Sequence, residues 1–527
     1  MKKIICLLLT ITIVTAFCPV IEFTAEEEPT ETLSEIWGDI NLNGEVDDID
    51  GMLLSRHLAN WELDGTYDFS AIDLQDNGQV TDLDDLELTR YLAMWGIETK
   101  IGTIIYETKL QGVNIEKYVI VIPSEENIIA KEAAEYINLN INKLRDINLE
   151  IISDDQPEQT HEIIIGKTTR TVYQEFDKTS VGNFEFALYE QDGKVLVYGF
   201  DFLVAGGAYY FINNLVSERN RVHINIPEEG IYESPTPEQA NNFILFIGDG
   251  MGQNHIKLLE AINPRIVNKT YDYFTARHFP NQGLSMTYAA NNPVTDSAAG
   301  GTALATGYKT NKYFVGLDPN KNVIMNLCEL AQSKDMKTAV LTTDSLQGAT
   351  PAAFSSHVEH RDMAEEIRAQ QLTSGIDYII GDITEDTYVS TLKSAFETIN
   401  VGENGFFMMY EEAHIDKESH NRNLVSTYEK MVRANNEINY IMSFIMYHPD
   451  TLLIITADHE TGGLTYDELS KNIYFTLGDH TGADVPVYAY GIGTEIFNNK
   501  TVNNIEIAKF IATQMGEENF GQQEEAE

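Results

Sequence analysis

Between about residues 241 and 515, five apolar runs recur with helical stretches between them: NFILFI, TAVLTT, GFFMMY, TLLIIT and VPVYAYG. Runs of this length, with almost no polar residue inside them, suit strands buried on both faces. Their alternation with helices predicts a mainly parallel sheet with helices covering each side. In such sheets ligands bind beyond the carboxyl ends of the strands, so the residues that follow each run are the first place to look for chemistry.

Three runs lead into metal-binding residue types. NFILFI is followed by Asp249, flanked by Gly248, Gly250 and Gly252; TLLIIT is followed by Asp458 and His459; GFFMMY runs into Glu411, Asp416 and His420. Asp416 and His420 are four residues apart and face the same way on a helical turn. His480 lies in a loop before VPVYAYG, with Thr481 and Gly482 after it. Each histidine taken singly reads equally well as a core or surface residue, and the shared placement at strand ends is what favours ligation. Carboxylates and imidazoles in these numbers suit zinc, and two such clusters suit a two-metal site for phosphoryl transfer. Ser297, in NPVTDSAAGGTALATGYKT, precedes small residues that begin a helix. It reads either as a nucleophile activated by a metal or as a helix N-cap.

Charge narrows the partners. The chain holds 35 basic and 82 acidic side chains, a formal net charge of −47. That excludes a nucleic-acid partner and opposes binding to anionic lipid, so an anionic substrate must be drawn in by local cations. Beyond the amino terminus no stretch is long enough to span a bilayer, and no stable membrane insertion is expected. Residues 1–25 read as an export signal with its processing region: Lys2 and Lys3, an apolar run over 4–14, and small Ala16. A lipid anchor on Cys18 is the rival, opposed by the bulk of Phe17. The expected destination is extracellular, in association with a scaffold or cell surface. Of the three cysteines, Cys6, Cys18 and Cys328, only Cys328 lies within a folded domain, so no structural disulfide is expected.

A repeat with a period of 34 residues aligns Asp39, Gly44, Asp50, Arg56, Leu58 and Trp61 with Asp73, Gly78, Asp84, Arg90, Leu92 and Trp95. Each copy is an acidic loop followed by a helical run. A twelve-residue calcium loop places ligands at positions 1, 3, 5, 7, 9 and 12 with glycine at 6. The first loop offers Asp39, Asn41, Asn43, the Glu45 carbonyl, Asp47 and Asp50; the second offers Asp73, Gln75, Asn77, the Gln79 carbonyl, Thr81 and Asp84. Two calcium ions are expected, the second held less tightly because of Gln75. Between the repeat and the large sheet, residues 101–233 alternate strands and helices as a small α/β domain. The proline-rich segment 234–240 reads as a linker, and residues 516–527 read as a solvated acidic tail.

The duplicated loop and helix over 36–98 resembles a type I dockerin. The resemblance implies docking to a cohesin domain of a scaffold protein, with Asp48, Ile49, Asp82 and Leu83 contributing to recognition. Trp61 and Trp95 suit that surface or a core. The stretches FIGDGMG, VTDSAAG, ATPAAFSSHVEHR, EEAHIDKESH, TADHETGGL and DHTGADVPVYAYG, in this order over about 245–491, resemble the alkaline phosphatase family. That resemblance implies a three-layer α/β catalytic domain over 241–515, preceded by a small all-α calcium-binding module and the α/β accessory domain. It implies one zinc on Asp416, His420 and His480, a second on Asp249, Asp458 and His459, and magnesium on Asp249, Thr350 and Glu411. Arg361 would grip two phosphate oxygens, and Lys417 would help through water. Gly348 stands where many relatives carry an acid or histidine beside the magnesium site. The implied activity is hydrolysis of small phosphate monoesters through a phosphoserine on Ser297. Phosphodiesterase or other superfamily chemistry, and a calcium-dependent scaffold-bound module with little activity, are the rival readings. Residues 108–233 resemble in pattern the accessory domain that precedes catalytic domains in glycoside hydrolases such as β-hexosaminidases.

Overall fold

In the computed structural model the chain divides into two compact units, Met1–Glu107 and Thr108–Glu527. The description covers residues 38–42, 46, 48–59, 72, 88–89 and 92 of the first unit. It covers residues 109–521 of the second apart from 146, 183, 200–201, 217–222, 225–229, 234–238, 263–273, 468 and 471.

The first unit holds helix α1 (Asp48–Leu58). Its Leu53 and Leu54 are buried with Ile40, Ile72 and Leu88, and Val46, Leu58 and Leu92 pack against them. Leu54 and Leu88 stand one repeat apart, as do Leu58 and Leu92, so the two repeats bury equivalent faces in one small core. Asp50, at the last position of the first loop, is fully buried and accepts hydrogen bonds from the amides of Ile40 (2.8 Å) and Asn41 (3.1 Å). The loop therefore closes back on its own start, where Asp39 is also buried. Ile49 is 49 % exposed. Asn43, Glu45, Asp47, Asp73, Gln75, Asn77, Gln79, Thr81 and Asp84 lie outside the described residues, as do Asp82, Leu83, Trp61, Trp95 and the side chain of Asp48.

The second unit begins with a six-stranded sheet made by β1 (Val119–Ile122), β2 (Ile151–Ser153), β3 (Glu162–Ile165), β4 (Glu185–Gln191), β5 (Lys194–Gly199) and β6 (Gly230–Glu233), in the order β2-β1-β3-β5-β4-β6. The first four in that order are parallel, and β4 runs antiparallel to both its neighbours. Helix α2 (Ile128–Arg145) buries Ala130, Ala134, Ile137 and Ile141 on one face, a spacing that repeats every helical turn. Helix α3 (Leu203–Tyr210) is rich in small residues and packs closely between this sheet and the next domain.

The larger sheet has eight strands: β7 (Asn242–Gly248), β8 (Asn281–Met286), β9 (Lys337–Thr342), β10 (Tyr378–Ile380), β11 (Phe406–Glu412), β12 (Thr451–Thr456), β13 (Val485–Tyr490) and β14 (Thr501–Asn503). Their order is β10-β9-β11-β7-β12-β13-β8-β14. Strands β10 to β12 in that order are parallel, and β13 is antiparallel to β12 and β8. The central strands are buried throughout, and their alternate residues sort cleanly into two cores. Phe243, Leu245, Ile247, Phe407, Met409, Leu452 and Ile454 face one layer of helices; Ile244, Phe246, Phe406, Met408, Leu453 and Ile455 face the other. The helices that position the site are α4 (Gln253–Ile262), α5 (Ser297–Thr306), α6 (Ala349–Ala353), α7 (Tyr388–Ile399), α8 (His414–His420), α9 (Leu424–Tyr447) and α10 (Asn504–Gln514). This is a three-layer α/β domain with a mainly parallel sheet.

The accessory region shares a core with this domain. Phe186, Phe202, Leu203 and Ala205 pack in one cluster with Ile441, Ile445 and Met446 of α9. Across the same contact the Tyr440 hydroxyl donates to Glu132 Oε1 at 3.1 Å, and the rings of Tyr136 and Tyr447 lie 4.5 Å apart. Within the expected solvated tail, Phe520 departs from the expectation: it is buried in one cluster with Phe510 and Leu304, and it touches the space a side chain at Gly307 would fill. A single aromatic in an irregular turn leaves no periodicity to read. No described helix is long and apolar enough to cross a membrane.

Candidate active site

The parallel strands deliver their acids to one edge. Register pairs Ile247 of β7 with Glu411 of β11 and Thr456 of β12, so the residues just beyond these strands are neighbours. The Asp249 amide donates to Glu412 O at 3.0 Å, fixing the turn after β7. Gly250, at φ 76°, completes that turn; a Cβ there would stand 2.9 Å from Asp416 Cα. Residue 250 must be glycine for β7 and α8 to meet this closely.

Asp416 Oδ1, His420 Nε2 and His480 Nε2 form a triangle. The imidazole nitrogens are 3.1 Å apart and lie 3.4 and 3.5 Å from the carboxylate oxygen. Beside it, His459 Nε2 is 3.5 Å from Asp249 Oδ1 and 3.3 Å from Asp458 Oδ2. Donor atoms around a tetrahedral zinc with bonds near 2.05 Å stand about 3.3 Å apart. The three edges of the first cluster, and the two from His459 in the second, are close to that length. Asp249 Oδ1 and Asp458 Oδ2 are buried and have no hydrogen-bond partner among the described residues. The exposed Asp479 also lies within ligating distance of His420 and His480.

The histidines are held in the tautomer that ligation needs. His420 Nδ1 lies 2.9 Å from Gly478 O and His480 Nδ1 lies 3.0 Å from Thr295 O. A carbonyl can only accept, so both Nδ1 atoms carry a proton, and when the rings are neutral both Nε2 atoms present a lone pair to the site. Without a metal, and against burial, Asp416 draws a second proton onto His480 and raises its pKa above the ordinary value. His459 Nδ1 donates to Thr461 Oγ1 at 3.2 Å, and that hydroxyl donates on to Asp416 Oδ1 at 2.6 Å. Two lone pairs facing each other at 3.1 Å call for a cation between them.

The acids say the same. Burial, then the charges of Asp458, Asp416 and Glu411, pushes Asp249 far above the usual carboxylate range. Burial and Asp416 raise Asp458 to about 6. Burial, against hydrogen bonds from Thr342 and Thr350 and with Asp458 and Asp344 nearby, raises Glu411 to about 8. Asp416 moves the other way: burial pushes it up, but the His480 hydrogen bond and the imidazole charges hold it below its ordinary value. A cluster that resists ionisation by itself is what a bound divalent ion would discharge.

Ser297 is the first residue of α5, and the N-cap is Asp296, whose side chain accepts from Ala299 N at 3.2 Å. The N-cap reading of Ser297 is therefore corrected, because Asp296 fills that place and leaves the serine hydroxyl free to donate to His459 Nε2 at 3.2 Å. Gly300 permits this closeness: a Cβ there would meet Asp458 O at 2.8 Å. Arg361 Nη1 donates to Asp296 Oδ2 at 3.3 Å, which holds the guanidinium beside Ser297. Lys417 pairs with Asp344, whose Oδ2 lies 3.2 Å from the position a Cβ on Gly348 would take. Thr350, in α6, adjoins Glu411.

Sequence reasoning missed Asp296, Asp344 and Thr461. An aspartate before a helix of small residues is an N-cap signal and marks Asp296. Asp344, two residues past β9, obeys the strand-end rule already used for Asp249. Thr461 carries no signal, because its role depends on the hairpin of Glu460–Thr461 with His480–Thr481.

Residues 240–387 and 381–477 match the family model for alkaline phosphatase, and residues 37–93 match that for the dockerin type I domain. The chain joins an alkaline phosphatase family domain to a type I dockerin. Alkaline phosphatase 4 of Bacillus subtilis (strain 168) is 24 % identical over 407 residues, spanning 52 % of this chain and 88 % of the relative. Alkaline phosphatase 3 of the same organism is 23 % identical over 431 residues, spanning 54 % and 91 %. A solved alkaline phosphatase from the Antarctic bacterium TAB5 is 24 % identical, with a TM-score of 0.47 over 53 % of this chain and 98 % of that one. The alkaline phosphatase match falls on the sheet edge that gathers Asp249, Ser297, Asp416, Asp458 and His459, and the dockerin match spans both acidic loops.

Proposed function

We propose that this alkaline phosphatase family hydrolase is a secreted, metal-dependent phosphomonoesterase that works through a phosphoserine on Ser297. Its dockerin would carry it to a cohesin on a scaffold protein. The observation that carries the catalytic reading is the approach of two Nε2 atoms, of His420 and His480, to 3.1 Å beside Asp416, with both Nδ1 atoms turned to carbonyls. Asp416, His420 and His480 would hold one zinc, Asp249, Asp458 and His459 a second, and Asp249, Thr350 and Glu411 a magnesium. Bound there, these cations supply the Lewis acidity that in-line displacement needs at its attacking and departing oxygens.

The chain's own residues do the rest. Ser297 Oγ, held at the start of α5 and 3.2 Å from His459 Nε2 until that nitrogen is taken up by a metal, gives its proton to water and attacks phosphorus, and the departing alcohol takes a proton from water. The bond from phosphorus to the alcohol breaks as the phosphoserine forms, and water then releases phosphate and restores the serine. The partial positive charge of the α5 amino terminus favours the anion throughout. Arg361, anchored by Asp296, offers two parallel donors to a pair of unesterified oxygens, which a monoester supplies more readily than a diester. Lys417, held by Asp344, reaches the phosphate through water. In the dockerin, the fold-back of Asp50 onto the first loop supports the reading of a calcium site at 39–50, and the proposed second site at 73–84 rests on the sequence repeat.

The test is turnover of p-nitrophenyl phosphate and of its bis-ester after chelation, with zinc and magnesium then restored. Zinc-dependent cleavage of the monoester, lost almost entirely in Ser297→Ala, is the expected result. Preference for the bis-ester would refute the role given to Arg361. For docking, cohesin capture should depend on calcium, and capture that survives chelation would count against it.

A further inference from the structure

Tyr313 has φ 74° and is the only aromatic among the described residues to adopt the left-handed region. A Cβ-bearing aromatic is strained there, and glycine would not be. The strain gains no burial, since Tyr313 is 47 % exposed. Such an outlier points to function rather than to folding.

Its place is set by the active site. Tyr313 N donates to Asp296 Oδ1 at 3.2 Å, and Tyr313 O accepts from Arg361 N at 2.9 Å. The other oxygen of Asp296 holds the Arg361 guanidinium, and Ser297 is the next residue. The turn at 313 is therefore fastened to the same carboxylate that positions the nucleophile's helix and the phosphate-binding arginine. A bridge between Val315 and Val358 sets the two segments antiparallel, which places Tyr313 opposite His360. Their rings stack, with centroids 5.1 Å apart and planes 18° from parallel. His360 is itself well exposed, and its Nδ1 accepts from Asp362 N at 3.3 Å. Lys312 Nζ lies 5.7 Å from the Tyr313 ring centroid.

We infer that Tyr313 and His360 form an aromatic platform on the rim of the active site that stacks a planar ring carried by the alcohol part of the substrate. This rests on the phosphomonoesterase reading above. The favoured esters are then nucleoside monophosphates or aryl phosphates, and aliphatic phosphates gain nothing from the platform. The chemistry is general: a π-face recognises any flat ring, and the nearby Lys312 adds attraction for the anionic ester.

The experiment compares kcat/KM for adenosine monophosphate, p-nitrophenyl phosphate and glycerol phosphate in the full chain, in Tyr313→Gly and in Tyr313→Phe. Glycine keeps the backbone, relieves its strain and removes the ring, so the variant should melt higher. In Tyr313→Gly the preference for a ring-bearing ester over glycerol phosphate should fall roughly tenfold, with inhibition by inorganic phosphate unchanged. Tyr313→Phe should keep the preference. A fall confined to adenosine monophosphate assigns the platform to a base carried on a sugar; a fall confined to p-nitrophenyl phosphate assigns it to a ring bonded directly to the ester oxygen. An unchanged preference in Tyr313→Gly overturns the inference. If the full chain cleaves none of the three, the phosphatase reading fails instead, and calorimetric titration with adenosine monophosphate decides the platform. Weaker binding by Tyr313→Gly then supports it, and equal or absent binding overturns it.

Discussion

Alanine at Gly300, compared with alanine at Gly301, separates the position of the nucleophile from the stability of its helix. Gly300 and Gly301 are adjacent and buried in α5, and alanine is favoured over glycine in a helix by about 1 kcal/mol, so both substitutions start with the same local gain. Their surroundings differ. A Cβ on Gly301 would meet Thr350 Cα at 3.3 Å and Ala353 Cβ at 3.5 Å, close to ordinary contact. A Cβ on Gly300 would meet Asp458 O at 2.8 Å and Asp458 Cβ at 3.0 Å. Moving from 2.8 Å to ordinary contact at 3.4 Å opens the gap between α5 and the turn after β12 by about 0.6 Å. That turn carries Asp458 and His459, and α5 carries Ser297. If about 1 Å of misplacement costs on the order of 100-fold in rate, 0.6 Å costs roughly 15-fold. Gly300→Ala should therefore lower kcat/KM for p-nitrophenyl phosphate by about that factor, weaken zinc retention on dialysis and lower the melting temperature, because an overpacking cost of about 1–3 kcal/mol outweighs the helix gain. Gly301→Ala should keep its activity and melt slightly higher. Full activity in Gly300→Ala, or equal losses in both variants, would refute the claim that the approach of Gly300 to Asp458 sets the site.

Arg433 is buried, with Nε 3.1 Å from Glu412 Oε2 and 2.8 Å from Glu437 Oε1. Arg433→Met leaves both carboxylates uncompensated and should cost about 3–5 kcal/mol in urea unfolding, and a smaller loss than about 1 kcal/mol would show that water already screens the group. Burial lowers the Lys309 ammonium to about 7, although Asn504 Oδ1 accepts from it at 2.7 Å and the Tyr288 ring lies 4.0 Å away. From about 7 to the ordinary lysine value near 10.5 the unfolded chain binds more protons than the folded one, so this group makes stability rise with pH across that window. Lys309→Met should flatten the rise in urea midpoints between pH 7 and 10, and an unchanged slope would remove Lys309 as its source.

The central sheet was legible because burial on both faces strips polar residues from a strand. NFILFI, TAVLTT, GFFMMY, TLLIIT and VPVYAYG are all strands, and Asp249 and Asp458 each stand two residues past one of them. Strands β8, β10 and β14 were not anticipated. NQGLSM mixes polar with apolar residues, and YII and TVN are three-residue pieces at or beside the sheet edges. The gathering of Asp416, His420 and His480 was readable as residue types but not as distances, because His480 is brought in by a hairpin. Residues that act through others were the hardest to see: Asp296 accepts from Ala299, Tyr313 and Arg361, and Thr461 accepts from His459 and donates to Asp416. The core shared by α3 and α9 was invisible for another reason. It joins residues such as Ala205 and Met446, more than 200 positions apart, and leaves no local period.

The charge of the site bears on monoester against diester chemistry. Asp249, Asp296, Asp344, Glu411, Asp416, Asp458 and Asp479 gather at the sheet edge that carries Ser297, where Arg361 and Lys417 are the cations paired with them. Both cations are already engaged, one by Asp296 and the other by Asp344. Seven carboxylates against two cations leave this edge acidic, in a chain whose net charge is already −47. By itself that edge repels any phosphate, and part of the repulsion is relieved only by the upward shifts of Asp249, Asp458 and Glu411. Divalent ions held as proposed would offset those charges and allow the acids to ionise, and each added ion would favour a phosphate monoester, which carries close to two negative charges at pH 7, over a diester carrying one. The acidic excess that made the chain look hostile to phosphate is thus the feature that ties its affinity for phosphate to the metals it is proposed to hold, with Asp344 supplying the negative charge beside Gly348.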